Sequence, residues 1–261
     1  STSDLSDVGL ARCVSDALML AELSAADACG GPAAPEDLAT EPYPDLQLYD
    51  PSVETITAEV ALERARRAER AALEFDPRIT LSEGATFSRT TGASARVISN
   101  GFSGFQRGSY ASMVVTPVAE DEGGKRRRGF HWSARRHLAE LDPDEEVGRE
   151  AARRTLAKLG ARKVPTAEAA VIFDPEIARS IVGTFAGCIL GGSIWRKSSY
   201  LVGREGTPVA SPLVTMVDDP LIVRGPGSRP YDGEGLASRR NVVVQDGVLK
   251  TYLLDSYSAR K

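Results

Sequence analysis

Only two histidines, His131 and His137, and three cysteines, Cys13, Cys29 and Cys188, are available to this 261-residue chain for metal or thiol chemistry. The histidines flank Trp132 among arginines, and the cysteines show none of the paired spacing of a zinc site. Cys188 lies in an apolar helical segment with no histidine near it in sequence, so a nucleophilic thiol has no local base. A richer set of charges sits near the C-terminal end. Asp218, Asp219, Asp232 and Glu234 share a loop-rich stretch with Arg224, Arg229, Arg239 and Arg240. Their oxygens suit a hard cation such as calcium or magnesium, or else they are turn residues and ion-pair partners. Gly183, Gly187 and Gly191 recur every fourth residue, followed by Gly192. Each mid-helix glycine costs about 1 kcal/mol relative to alanine, so a flat glycine face needs a reason. Either another helix or strand of the chain approaches closely, or the backbone of a peptide or partner passes there. There is no Walker A loop, no Gly-x-Gly-x-x-Gly after a strand and no Gly-x-Ser-x-Gly elbow.

The elements that must position these residues begin with a helix over roughly the second half of residues 1–24. Leu10, Val14, Ala17, Leu18 and Ala21 give it one apolar face. Residues 27–52 carry five prolines and Gly30-Gly31, which predicts a linker pinned by Leu46, Leu48 and Tyr49. A second helix is expected from Thr57, its N-cap, to Phe75. Val60, Ala61, Ala65, Ala68, Ala72 and Phe75 would face inward, and Arg64, Arg66, Arg67 and Arg70 mostly outward as a solvated face.

From Ile79 to Ala119 the pattern turns to strands cut by Glu83-Gly84, Thr91-Gly92, Asn100-Gly101 and Arg107-Gly108, a meander of about four. The charge block Glu120–Arg128 reads as an exposed hairpin tip. Asp142-Pro143-Asp144-Glu145 then places a capping Asp, a first-turn proline and a Glu at N3. Val147, Ala151, Thr155 or Leu156, and Leu159 stripe that helix. Val171-Ile172-Phe173 reads as a short buried strand, and Asp174-Pro175-Glu176 opens the glycine-bearing helix. Strands return at Leu213–Asp218, Asn241–Val244 and Val248–Asp255. The fold class is α+β, antiparallel sheets with packed helices.

Composition narrows the class further. Hydrophobic residues at 42% and charged residues at 26% are globular values. A net charge of −4 argues against a dedicated nucleic-acid binder. The longest uncharged apolar run, Ser180–Trp195, is shorter than the roughly 20 residues that cross a bilayer. With no signal or lipidation pattern in view, a soluble, cytoplasmic protein is expected.

Several blocks resemble one family. They are Trp195-Arg196-Lys197-Ser198-Ser199, Val217-Asp218-Asp219-Pro220, Tyr231-Asp232-Gly233-Glu234-Gly235, Asp246-Gly247-Val248-Leu249 and the terminal Leu253–Lys261. Upstream, Arg78-Ile79-Thr80, Ser82-Glu83-Gly84 and Ala152–Leu156 add landmarks in the same order. The chain is similar to the TldD/PmbA family. The resemblance implies a two-part architecture: residues 1–160 as an N-terminal-type α+β domain, and 161–261 as the start of a C-terminal-type one. Members run longer at both ends, which implies the middle of a longer protein.

The resemblance also implies cytoplasmic heterodimeric zinc metalloproteases, older label modulator of DNA gyrase, acting on antibiotic precursors and unfolded or antitoxin peptides. TldD-type members carry a His-Glu-x-x-x-His helix in which the histidines hold zinc and the Glu acts as base. Anchored on Gly192 and Arg196-Lys197, those positions fall here on Gly183, Thr184 and Cys188. None of the family's metal roles carries over, so this chain is expected to hold no metal and to have no catalytic residue. The pattern resembles the PmbA/TldE subunit, with zinc expected in a TldD-like partner and a peptide as substrate. Arg196, Lys197, Asp232 and Glu234 are the candidate peptide-channel residues. Two alternatives remain: a self-associating, non-catalytic peptide-binding protein, and a hydrolase using Asp218, Asp232 or Glu234 with another metal.

Overall fold

The computed structural model describes residues 1–261. Helix α1 spans Asp7–Leu23, with Ser6 accepting from the amide of Gly9 at its N-terminus. Its expected inward face buries nothing, and Leu10, Val14 and Leu18 are exposed. The periodicity is real, but no element of this chain packs against it. A strap follows, residues 27–50, and Leu46 is buried in it. Short helix α2 (Pro51–Glu54) and helix α3 (Ala58–Leu73) come next, with Thr57 capping α3 as expected.

Strand β1 (Ile79–Val97) and strand β2 (Ser103–Asp121) form one antiparallel ribbon of 19-residue strands. The expected four-strand meander is therefore two long strands. Of the four glycine dipeptides, only Asn100-Gly101 turns the chain. Gly92 pairs opposite Gly108, so those sites lie within the ladder, and Gly84 sits at an irregularity with φ +119°. Alternation along β2 explains the packing. Ser109, Ala111, Met113 and Val115 face the helices, while the residues between them are half-exposed. A tight turn leads to β3 (Lys125–Arg128), the expected charged hairpin, and β4 (His131–Arg135) pairs with the middle of β2.

Helix α4 spans Asp144–Leu156, starting one residue later than the capping pattern suggests. Pro143 is its N-cap and offers no side-chain cap, while Asp142 instead pairs with Arg135 at 3.4 Å. The reason is Asp144. Its carboxylate, 3% exposed, takes Arg64 Nη2 at 2.8 Å and Arg67 Nη2 at 2.7 Å from α3. Arg64, expected outside, is thus drawn between the helices and over the Phe87 ring. Val60 and Phe75 are exposed instead. Ala68, Ala72, Val147, Ala151 and Met113 form the first core.

Residues 161–174 have no regular structure, and Val171-Ile172-Phe173 is an exposed segment rather than a buried strand, with Ile172 97% exposed. Helix α5 (Pro175–Ile189) starts where Asp174 accepts from the Glu176 amide, and α6 (Gly191–Trp195) follows. A small sheet holds β5 (Met216–Asp218), β6 (Asn241–Gln245) and β7 (Val248–Leu249). Asp246 (φ +49°) and Gly247 (φ +80°) make the tight β6–β7 turn. The expected strand to Asp255 shortens to β7 plus a single bridge between Leu190 and Leu253, and α7 (Ser256–Arg260) closes the chain. Ile189, Leu201, Val243, Val244 and Leu249 are the second core.

Polar joints tie the two cores together. Arg136 is buried, stacks on Tyr110, and donates to the carbonyls of Gly225 (2.8 Å) and Pro226 (3.0 Å). The strap adds Ala39 to a small cluster with Phe102 and Tyr231. At the foot of α5, Arg154 donates to Glu176 at 2.7 Å, and His131 Nδ1, with no hydrogen-bond partner, lies 4.0 Å away from the same carboxylate.

Burial, and then the nearby Arg154 charge, hold His131 below its ordinary pKa of 6.5. The folded chain therefore resists a proton that the unfolded chain accepts. This contribution is complete above the unfolded value and is lost as pH falls through it. Urea midpoints are expected to drop between pH 7 and 5.5, and to drop less in His131→Gln; equal slopes would refute the assignment.

Candidate functional site

A cleft of about 900 Å³ opens where the end of α5, α6, β5, the loop 229–239 and the segment 251–255 meet. Local backbone geometry builds its walls. Asp232 Oδ1 accepts from the amides of Glu234 (2.8 Å) and Leu236 (3.0 Å), and Gly235, at φ +83°, brings the loop against Phe102. Glu234 Oε2 accepts from the Ser256 amide at 2.8 Å, so it joins that loop to α7. Asp255 caps α7 through the Ser258 amide at 2.7 Å, and the Ser258 hydroxyl, followed by that amide, holds its carboxyl below the usual carboxylate range.

Of the four candidate channel residues, the structure brings Arg196 and Asp232 to the cleft and leaves Lys197 and Glu234 outside its lining. Asp232 and Glu234 both spend oxygens on loop amides. Lys197 is exposed on a backbone turn at φ +56°. Asp218 is held by Asn241 at 3.4 Å, and Asp219 by the Leu221 amide and Arg240. No three His, Cys, Asp or Glu side chains converge; of the acidic set only Asp219 forms an ion pair, and Asp218, Asp232 and Glu234 accept from amide N–H groups. Sequence reasoning missed Asp37, which enters the cleft from the strap, and nothing in its local pattern signals that.

Gly183, Thr184 and Cys188 all lie on α5. Thr184 Oγ1 donates back to the Ser180 carbonyl at 2.9 Å, and Cys188 packs half-buried against the second core. One thiol and one hydroxyl already in use do not fit a zinc ion, which needs three or four N, O or S ligands. The glycine face is equally plain: a Cβ at Gly183 or Gly187 would meet nothing within 4 Å. The expectation of close packing within the chain fails there. Gly191 differs, because a Cβ there would collide with Ser258 and lie 3.2 Å from Leu254. Gly183→Ala and Gly187→Ala should each raise stability, by about 1 kcal/mol, through helix propensity alone. An unchanged or lower urea midpoint would mean that the face is occupied.

The geometry so far describes an α+β protein of antiparallel sheets with packed helices. Two family models match it in succession: the PmbA/TldA metallopeptidase central domain over residues 51–159 and the PmbA/TldA metallopeptidase C-terminal domain over 166–261. The chain belongs to the PmbA/TldD family. It is 38% identical to Metalloprotease PmbA of Escherichia coli O157:H7 over 100% of this chain and 57% of that protein. A solved structure of a modulator of DNA gyrase from Bacteroides thetaiotaomicron superposes with TM-score 0.93 at 27% identity, covering 99% of this chain and 59% of that one. TldE from Thermococcus kodakarensis shares the fold at TM-score 0.71 and 22% identity, covering 95% of this chain and 55% of that one. The chain thus spans less than two thirds of the length of these relatives. No helix is long and apolar enough to cross a membrane.

Proposed function

We propose that this chain is a PmbA/TldE-type subunit without its own metal, which pairs with a zinc-bearing TldD-type chain and shapes the channel for its peptide substrate in the cytoplasm. The observation that supports this reading is the side-chain set on α5: Gly183, Thr184 and Cys188 occupy the positions onto which the family resemblance, anchored on Gly192 and Arg196-Lys197, carries the two histidines and the glutamate of TldD-type members. Thr184 cannot act as a general base near neutral pH, and Gly183 offers no ligand atom. The exposed surfaces of α1 and α5 also leave room for a second polypeptide. Ile177, Ile181 and Val182 on α5 and Leu18 and Leu20 on α1 are apolar and uncovered. Peptidase assays on this chain alone and on a co-purified pair with a TldD-type chain test the reading. Zinc-dependent cleavage is expected only from the pair; cleavage by this chain alone would overturn it.

A further inference from the structure

Resting on that peptide-channel reading, we propose that the cleft beside α6 grips a carboxylate of its peptide, through Arg196, Arg229 and Arg239. All three guanidinium side chains line the cleft, and none forms an ion pair. Arg196 donates only Nε, to the Gly192 carbonyl at 2.7 Å. Arg229 makes one long bond to the Gly227 carbonyl at 3.5 Å, and Arg239 makes none. Arg64 and Arg154, by contrast, hold acids, and Arg136 holds backbone carbonyls.

The four carboxylates that line the same cleft form no ion pair with these groups. Asp232 and Asp255 are turned onto amides of their own loops, Asp218 faces Asn241, and Asp37 is exposed on the strap. The donors left unspent are therefore guanidinium forks, whose planar geometry matches a carboxylate bidentately. Leu190, Leu236, Leu253 and Leu254 line the remaining wall, so the group delivered there comes with an apolar neighbour. The volume, about 900 Å³, is that of a site for a few residues rather than a folded partner. A peptide carries such a carboxylate either at its C-terminus or on Asp and Glu side chains.

The experiment uses three fluorescein-labelled hexapeptides of Ala, Leu and Ser with the 261-residue chain. One ends in a free carboxylate, one is amidated, and one is amidated with a Glu near its end. Fluorescence anisotropy is expected to show the free acid, the Glu peptide or both binding about tenfold more tightly than the neutral amide, the scale of one or two charge-assisted bonds. Which acid wins identifies the source of the carboxylate. In Arg239→Gln and Arg229→Gln, at exposed positions, that preference should shrink while circular dichroism stays unchanged. Equal binding of all three peptides, no binding of any, or an arginine variant that weakens acid and amide alike would overturn the proposal. Pairing with a TldD-type chain is read separately, so the subunit assignment stands or falls on its own assay.

Discussion

Gly148→Ala is expected to destabilise the chain by more than 2 kcal/mol, although alanine is the better helix former by about 1 kcal/mol. Gly148 sits inside α4 where that helix crosses α3. A Cβ there would run into the Ala68 carbonyl oxygen, and would lie 3.0 Å from its carbon and 3.1 Å from the Ala72 nitrogen. These are backbone atoms, so no rotamer change relieves the overlap. The helices would have to separate, and Ala68, Ala72, Val147 and Ala151 would lose contact in the first core. The strain therefore outweighs the propensity gain. Urea denaturation checks this, with Gly187→Ala as the control in which propensity acts unopposed. A Gly148→Ala midpoint at or above that of the parent would mean that α3 and α4 do not approach this closely.

Asp144→Ala should cost about 3 kcal/mol or more, the scale for breaking a buried ion pair by removing one partner. The carboxylate is 3% exposed and receives both Arg64 and Arg67, with Arg64 itself 16% exposed. Removing it leaves a guanidinium stranded between α3, α4 and Phe87. Asp144 also sits in the first turn of α4, where a negative charge complements the helix dipole. The pairing is testable as a cycle. Asp144→Ala with Arg64→Met should cost clearly less than the sum of the two single changes, because the double variant strands no charge. Additive costs would show that the two groups do not interact.

Much of this fold was legible because local rules set it. Thr57 and Asp174 cap their helices as their residue types suggest, and the Asp246-Gly247 turn follows from two residues that tolerate positive φ. The failures share a different cause. Gly92 and Gly108 looked like turn points, yet they face each other within a ladder, which depends on a register nineteen residues long. Asp142 looked like a cap, but the cap was decided by what α3 offers Asp144 across the helix pair. Val171–Phe173 looked buried because it is apolar, and nothing in this chain covers it.

The candidate site divides in the same way. The absence of histidine from α5 could be read directly from residue types, and so could the acidic and basic side chains around residues 218–240. Their roles could not be read. Whether Glu234 meets a ligand or the Ser256 amide depends on a contact between distant segments, and so does the arrival of Asp37 in the cleft. Lys197 lies next to Arg196 in sequence but turns away at a left-handed backbone position, and only Arg196 reaches the cleft.

The central claim is that this chain provides no zinc site and joins a subunit that does. The most direct measurement is metal content by mass spectrometry on the chain alone and on its co-purified complex with a TldD-type chain. The account predicts no stoichiometric zinc on the chain alone and one zinc per pair. One tightly held zinc on the isolated chain would contradict it.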